Sequence, residues 1–488
     1  MSTERYDAVV IGAGQAGVPL AKCLAVQARM RTALIERQHV GGTCINEGCT
    51  PTKTMVASAR VAHLARRAGD FGVIAGTVTV DMKKVVARKR DIVNSWRGGS
   101  ERRLHATENL DLIAGEATFL SDTTLSVRLR EGGEQRLEAD KFFINAGARP
   151  ASPAIDGLES VQSLNSTSIL ELEEVPEHLI VVGGGYVGLE FAQMFRRFGS
   201  RVTIVQRGAQ LLPQEDTDVA EEIAAILRED GIHILLETRT MRVGKDAQGR
   251  VALTVRNMDM DRTIVGSHLL IATGRAPNTD TLNLAAAGIE TDPAGFVKVN
   301  ERLETTSPKV WALGDVKGGP AFTHISYDDF RIIRANLLLK REATTTSRAV
   351  PYTVFIDPQL GRVGLTEREA RAQKYVVKVA KLPLAHVARA VEIDETRGFM
   401  KAVVDADTSM ILGCAILGAE GGEIMGILQV AMAGGIPYQM LRDKVFAHPT
   451  LAEALNNLFL SWEQEPMDVM LSQASYSAAM MKETATTG

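Results

Sequence analysis

Apolar and polar positions change rhythm along this chain, and each change predicts an element. The run AVVI (8–11) is unbroken by polar residues, ends at a glycine turn and leads into an apolar-faced helix. LIVVGGGYVGLEFAQMF (179–195) repeats that order of strand, glycine turn and helix. A strand without polar alternation is buried on both faces, as in a parallel sheet covered by helices. Two later strand ends also echo each other, KFFINAGARP (141–150) and HLLIATGRAP (268–277), and each runs into a tight turn, at Gly147 and at Gly274. Such turns predict that the chain leaves one domain for the next there. From about residue 346 the pattern becomes strands, in VPYTVFI, GFMKAVVDA and MILGCAILG, and then helices, with no further glycine loop. That order predicts a domain of the mixed α+β kind.

The expected fold class is therefore α/β, with two Rossmann-like dinucleotide-binding domains and a C-terminal α+β domain. The chain has 488 residues, too many for one core at the usual ~150 residues per domain. The predicted division is 1–150 for the first part of one dinucleotide-binding domain and 151–275 for a second domain inserted into it. The first then resumes over 276–345, the C-terminal domain takes 346–463, and 464–488 forms a loosely held polar, Met-rich and Ala-rich tail.

Composition narrows the function. Hydrophobic residues at 45% and charged residues at 23% are ordinary for a soluble globular protein. A formal net charge of −4 gives no electrostatic argument for nucleic acid or for an anionic membrane. No apolar run reaches the ~18 to 20 residues that spanning a membrane requires. Four cysteines in so long a chain do not make a secreted disulfide scaffold. A cytoplasmic protein is expected, in which a catalytic disulfide would be the exception. Cys23 and Cys414 read as small core residues.

Each glycine turn has the form G-x-G-x-x-G between a strand and a helix, the context that gives this motif its meaning. Gly12 and Gly183 make the turn, Gly14 and Gly185 let backbone approach a pyrophosphate, and Gly17 and Gly188 let helix and strand pack closely. In the first copy the next strand, TALIE, ends on Glu36, where a carboxylate can bond ribose hydroxyls. In the second, VTIVQR ends on Gln206 and Arg207, so the carboxylate is missing and a guanidinium is present. Arg207 could take a 2′-phosphate, which leans toward NADPH over NADH; its other reading is a solvated surface arginine. Asp315, after Gly314 in WALGDV, is placed to accept from a polyol or ribose hydroxyl, although Gly-Asp is also turn chemistry.

The segment GGTCINEGCTPTK (41–53) carries the candidate chemistry. Four residues between Cys44 and Cys49 allow a small disulfide ring, with Gly42 and Gly48 relieving backbone crowding. Thr50-Pro51 reads as a helix start. Cys49 then lies near a helix N-terminus with Lys53 beside it, a setting that lowers a thiol pKa from ~8.5 to between ~3.5 and ~7.5. The alternatives are two unrelated buried cysteines or half of a zinc site, but C-x4-C is not a usual zinc spacing and no partner cluster follows. No structural metal site is expected. Thiol chemistry also needs a proton acceptor. His448 in FAHPTLAEALNNLF, with Glu453 five residues on, is the histidine in the most defined motif; a helix cap is its other reading. His324 in FTHISYDD could line a cofactor site.

Together these residues resemble the FAD-dependent pyridine nucleotide–disulfide oxidoreductases over about residues 5–462. The chain is most similar to the mercuric-reductase-like subgroup that includes the reactive-chlorine-resistance copper reductases, through GGTCIN-x-GC-x-PTKT, GGPAFTHISYDD, VPYTVF and HPTLAEALNNLF. The resemblance implies that Cys44 meets substrate and that Cys49 faces the flavin, with Lys53 near the flavin ring and paired with Glu190. It implies FAD on the first fingerprint, with Glu36, Gly42, Thr43, Gly147 and Asp315. The second fingerprint, with Arg207 and Gly274, would hold NADPH or NADH. It further implies a homodimer built through the C-terminal domain, in which His448 and Glu453 act on the disulfide of the other subunit. The expected partner is a small-molecule or metal-ion acceptor: a soft metal ion, mercuric or cupric, or a small disulfide. Alternatives are a dihydrolipoamide dehydrogenase or a non-catalytic redox or metal sensor. Two departures bear on the acceptor. No cysteine follows Cys414, so the C-terminal pair of detoxifying mercuric reductases is absent, and Glu47 replaces an apolar residue between the thiols. A carboxylate there should favour cations over anionic disulfides; its other reading is a solvated loop residue.

Overall fold

The computed structural model describes residues 3–346 and 348–463; the predicted tail at 464–488 lies outside them. The described residues form two units, one made of those up to Leu211 with Leu227–Val350, the other of Leu212–Ile226 with 351–463.

In the first unit, five strands run parallel in the order Leu110–Phe119, Thr32–Glu36, Ala8–Ile11, Phe142–Ile144 and Val310–Ala312. Both faces of this layer are buried, as the unbroken apolar runs require. Val9, Ile11, Phe142 and Ile144 point into one core, and Ala8, Val10, Leu34 and Phe143 into the other. The strand Leu110–Phe119 continues into an antiparallel meander with Thr124–Leu129 and Glu134–Ala139.

A second parallel sheet orders His233–Leu235, Arg201–Val205, His178–Val182 and His268–Ile271, and a three-stranded antiparallel sheet spans Thr238–Gly266. The two echoed strand ends meet. Ala148–Pro150 pairs antiparallel with Arg275–Pro277, so the segments after the two glycine turns lie side by side. The helix after the first glycine turn is regular only over Gly17–Lys22 and continues as a π-turn over Cys23–Gln27. Cys23 is buried there, in the predicted core role.

The second unit holds a five-stranded antiparallel sheet in the order Tyr352–Val354, Gln359–Gly364, Ile411–Gly418, Phe399–Asp405 and Val377–Pro383. Gln359–Gly364 and Val377–Pro383 had no clear apolar signal in the sequence. Helix Gly421–Ala433 and the short helix Ala454–Leu458 close the core over Val363, Ala402, Cys414, Leu428 and Phe459. Burial pushes the Cys414 thiol up to about 12, which keeps it protonated and inert. Leu212–Ile226 is held in this unit by charge. Glu215 pairs with Arg362 at 3.3 Å, and Lys401, 3% exposed, reaches Asp216, Asp218 and Glu367 at 3.0–3.3 Å. A buried ammonium needs such partners to offset its lost hydration.

Candidate active site

The thiol loop is built directly on the first glycine turn. A Cβ on Gly42 would come within 2.8 Å of the Gly14 Cα, so only glycine allows the two backbones this close. Gly41 N donates to Ala13 O at 2.8 Å and Gln15 Nε2 to Gly41 O at 3.0 Å. These bonds fix Thr43 and Cys44, in the short helix Gly42–Asn46, relative to the turn. Arg97 Nε holds Asn46 Oδ1 at 2.7 Å from the helix Met82–His105. Glu47 is half-buried and accepts from the Thr167 hydroxyl at 3.2 Å, so it is anchored and not a free loop residue.

Cys49 opens the helix Cys49–Arg66, one residue ahead of the start expected from Thr50-Pro51. Cys49 is exposed as a residue, while Cys44 is half-buried, and both are free thiols. The two are unequal. The hydrogen bond to Cys49, with burial, holds the Cys44 thiol well above the ordinary range. The same bond pushes Cys49 down to about 6; burial opposes this, and Thr323 and Lys53 support it. Cys49 Sγ lies 3.4 Å from Thr323 Oγ1. Lys53, one turn along the helix, reaches Glu190 Oε2 at 2.7 Å, and Glu190 is only 4% exposed. Removing Lys53 would leave a buried carboxylate without this partner, a change that costs ~3–5 kcal/mol in comparable sites.

The first glycine turn follows the predicted plan. A Cβ on Gly12 would meet the Asn145 carbonyl oxygen at 2.3 Å, and one on Gly17 the Gly12 oxygen at 2.0 Å. Glu36 Oε2 accepts from Ala13 N at 2.9 Å at the end of its strand. Asp315 follows Gly314, and its nearest cation is Arg275 Nε at 3.7 Å. Burial raises the Asp315 pKa, while Arg275 and Lys317 oppose the rise. Arg275 Nε is itself buried without a hydrogen-bond partner. A carboxylate acceptor beside a buried N–H donor that has no hydrogen-bond partner suits the hydroxyls of a polyol.

The second turn matches the first. A Cβ on Gly183 would meet Ala272 O at 2.3 Å and one on Gly188 the Gly183 oxygen at 2.2 Å, while Gly185 faces open space. Gly184 N donates to Gln206 Oε1 at 3.0 Å, where the first copy uses Glu36. Arg207 is exposed at the same strand end. Gly147 and Gly274 both have positive φ, 69° and 131°, at the turns after their strands.

In the second unit, His448 Nδ1 lies 2.8 Å from Glu453 Oε2, and the imidazole is exposed. The helix that follows His448 runs over Ala454–Leu458, preceded by a turn in which the Thr450 hydroxyl accepts from Glu453 N at 3.2 Å. His324 is exposed and stacks on Phe322, which in turn packs against Tyr186.

Asn145 and Asp329 are among the residues that were not singled out from the sequence. Asn145, 7% exposed, donates through Nδ2 to Gly12 O at 3.1 Å and braces the first turn from below. Its only sequence signal is a polar side chain at the end of the apolar strand KFFI. Asp329, fully buried, accepts from Gly314 N at 2.8 Å and pairs with Lys317 and Arg348, fixing the segment that carries Asp315.

The family model described as pyridine nucleotide-disulphide oxidoreductase matches residues 6–329, and the model for that family's dimerisation domain matches 350–459. The chain is 41% identical over 460 residues to the probable pyridine nucleotide-disulfide oxidoreductase RclA of Escherichia coli (strain K12), covering 93% of this chain and 99% of that protein. It is 34% identical over 467 residues to the mercuric reductase of Lysinibacillus sphaericus, covering 95% and 84%. The solved Cu(II) complex of the HOCl-induced flavoprotein disulfide reductase RclA from Escherichia coli matches with a TM-score of 0.85 at 40% identity, covering 94% of this chain and 99% of that one. Among the described residues, no helix is long and apolar enough to cross a membrane.

Proposed function

The chain belongs to the pyridine nucleotide-disulphide oxidoreductases, and from that premise we propose that it oxidises NADPH and delivers the electron pair through Cys44 and Cys49 to a soft metal ion or a small disulfide. The observation that carries this reading is the unequal thiol pair at the N-terminus of Cys49–Arg66. Similarity to RclA, solved as a Cu(II) complex, and to a mercuric reductase supports a metal ion as the first choice of acceptor.

The family's FAD fits the first cradle, with the glycine turn for its pyrophosphate, Glu36 for its ribose and Asp315 for its polyol hydroxyls. When bound, it supplies a centre that accepts a hydride from the nicotinamide and returns an electron pair. The remaining work falls to the chain. Arg207 binds the 2′-phosphate of NADPH at the second cradle. Lys53, held by Glu190, keeps a positive charge beside Cys49. Cys44 keeps its proton until it meets the acceptor.

Oxidising the dithiol to the disulfide releases two electrons and two protons. These reduce two cupric ions to cuprous, one mercuric ion to the metal, or one disulfide to two thiols. His448 of a second copy, its tautomer fixed by Glu453, takes the proton from Cys44 as that sulfur becomes a nucleophile or ligand. The match to a dimerisation domain supports this shared site. Because the Cys49 pKa is depressed to about 6, its thiolate is present above that pH and lost as pH falls through it.

Cys44→Ser tests the relay. Flavin reduction by NADPH should persist while turnover with Cu(II), Hg(II) or oxidised glutathione falls to background. Full turnover by this variant would refute the relay, and the ranking of acceptors in the wild type would decide between metal ion and disulfide.

A further inference from the structure

We propose that Thr323 stabilises the charge on Cys49, its hydroxyl donating to the Cys49 sulfur in the reduced protein and keeping the two thiols unequal. This inference rests on the reading of Cys44 and Cys49 as the redox pair.

Thr323 and Cys49 are each the first residue of a helix, Thr323–Leu337 and Cys49–Arg66, and their side chains meet at 3.4 Å. Neither helix has a side chain capping its N-terminus, since the preceding residues are Phe322 and Gly48. The positive ends of two helix dipoles therefore begin at one sulfur. At this first position the Thr323 hydroxyl has no carbonyl of its own helix to bond four residues back, the usual alternative for a helical threonine. A thiolate carries no proton, so in the charged state the hydroxyl can only be the donor.

The other groups around Cys49 explain why this bond matters. Cys44 donates from the thiol loop, and Lys53 stands on the same helix. The helix Tyr186–Phe198 presents Glu190, whose carboxylate disfavours negative charge on the sulfur, while burial keeps the neighbouring Tyr186 phenol protonated and neutral. Lys53 is shared with Glu190 at 2.7 Å, so part of its charge is already balanced. Thr323 is a donor whose effect no neighbouring carboxylate offsets in this way. Its hydroxyl lies near both sulfurs, but the Cys44 proton is already directed at Cys49, so the donation falls on Cys49.

The test uses the flavin-loaded Cys44→Ser protein, in which Cys49 is the only thiol of the pair. The long-wavelength charge-transfer absorbance between a thiolate and oxidised flavin is followed as a function of pH. Adding Thr323→Val should raise the midpoint by roughly one pH unit, a tenfold loss of thiolate below the midpoint, as expected for one hydrogen bond to a charged group. Adding Thr323→Ser should restore the parent midpoint. An unshifted midpoint in Thr323→Val, or a serine variant shifted as far as the valine one, would overturn the role of Thr323 alone. A parent protein with no charge-transfer absorbance at any pH would instead overturn the reading of Cys49 on which the inference rests.

Discussion

The two glycine cradles share the same close backbone contacts and differ in the side chains set around them. In each, a Cβ on the first glycine would strike a carbonyl at 2.3 Å, and one on the third would strike the first glycine's own oxygen at 2.0 or 2.2 Å. In each, the amide after the first glycine donates to the end of the next strand, to Glu36 at 2.9 Å and to Gln206 at 3.0 Å. A carboxylate ends one strand, whereas a neutral amide followed by Arg207 ends the other. Sterics fix the turn, and on the proposed reading the charge at the strand end selects the ribose. The first cradle also carries the thiol loop, packed on Gly14, while Gly185 in the second faces open space.

The largest effect should come from breaking the shared backbone. Gly17→Ala places a Cβ 2.0 Å from a backbone oxygen that cannot swing aside. Its cost should exceed the ~1–3 kcal/mol of ordinary overpacking, and the protein should purify without flavin. Gly185→Ala meets no protein atom within 4 Å, so flavin content and melting temperature should hold while the KM for the nicotinamide cofactor rises. Flavin-to-protein absorbance ratios and thermal melts would check both.

Next in size is the charge at the second strand end. Arg207→Ala should raise the KM for NADPH roughly tenfold or more, the loss expected for ~1.5–3 kcal/mol of charged hydrogen bonding, and leave NADH unchanged. Equal losses with both cofactors in steady-state assays would show that Arg207 does not read the 2′-phosphate.

Among the described residues, no side chain bonds the Gly183 oxygen as Asn145 bonds the Gly12 oxygen. Asn145→Ala removes the support at Gly12 O and should weaken flavin retention by about 1 kcal/mol, measured as flavin release under mild denaturant, with nicotinamide binding unaffected. The smallest change is Gln206→Glu, which gives the second cradle the first one's carboxylate. It should improve NADH a few-fold and weaken NADPH a few-fold in kcat/KM; improvement of both would contradict a charge-based choice.

The sequence made some of this plain and hid the rest for physical reasons. Turns that only glycine can make leave their mark in adjacent residues, so Gly12, Gly17, Gly183 and Gly188 were readable, as was the thiol pair flanked by Gly42 and Gly48. The strands Tyr352–Val354, Phe399–Asp405 and Ile411–Gly418 were readable as apolar runs, although Gln359–Gly364 and Val377–Pro383 were not, and the short helices Glu367–Ala372 and Ala388–Glu392 between the strands were not expected. Lys53 and Glu190 came together only through the family resemblance, because a contact across 137 positions has no local signal. Asn145 beneath Gly12, Thr323 against Cys49 and Thr167 on Glu47 are all contacts of this kind. Each depends on how distant segments pack. The polar residue that matters to the site is then indistinguishable in sequence from one that meets solvent.

The central claim is that electrons reach the acceptor by way of Cys44 and Cys49, and anaerobic dithionite titration counts those electrons directly. The wild-type protein should take up two electron pairs per subunit, one in the flavin and one in the disulfide, whereas Cys44→Ser should take up one. Uptake of a single pair by the oxidised wild-type protein, or of two by Cys44→Ser, would contradict it.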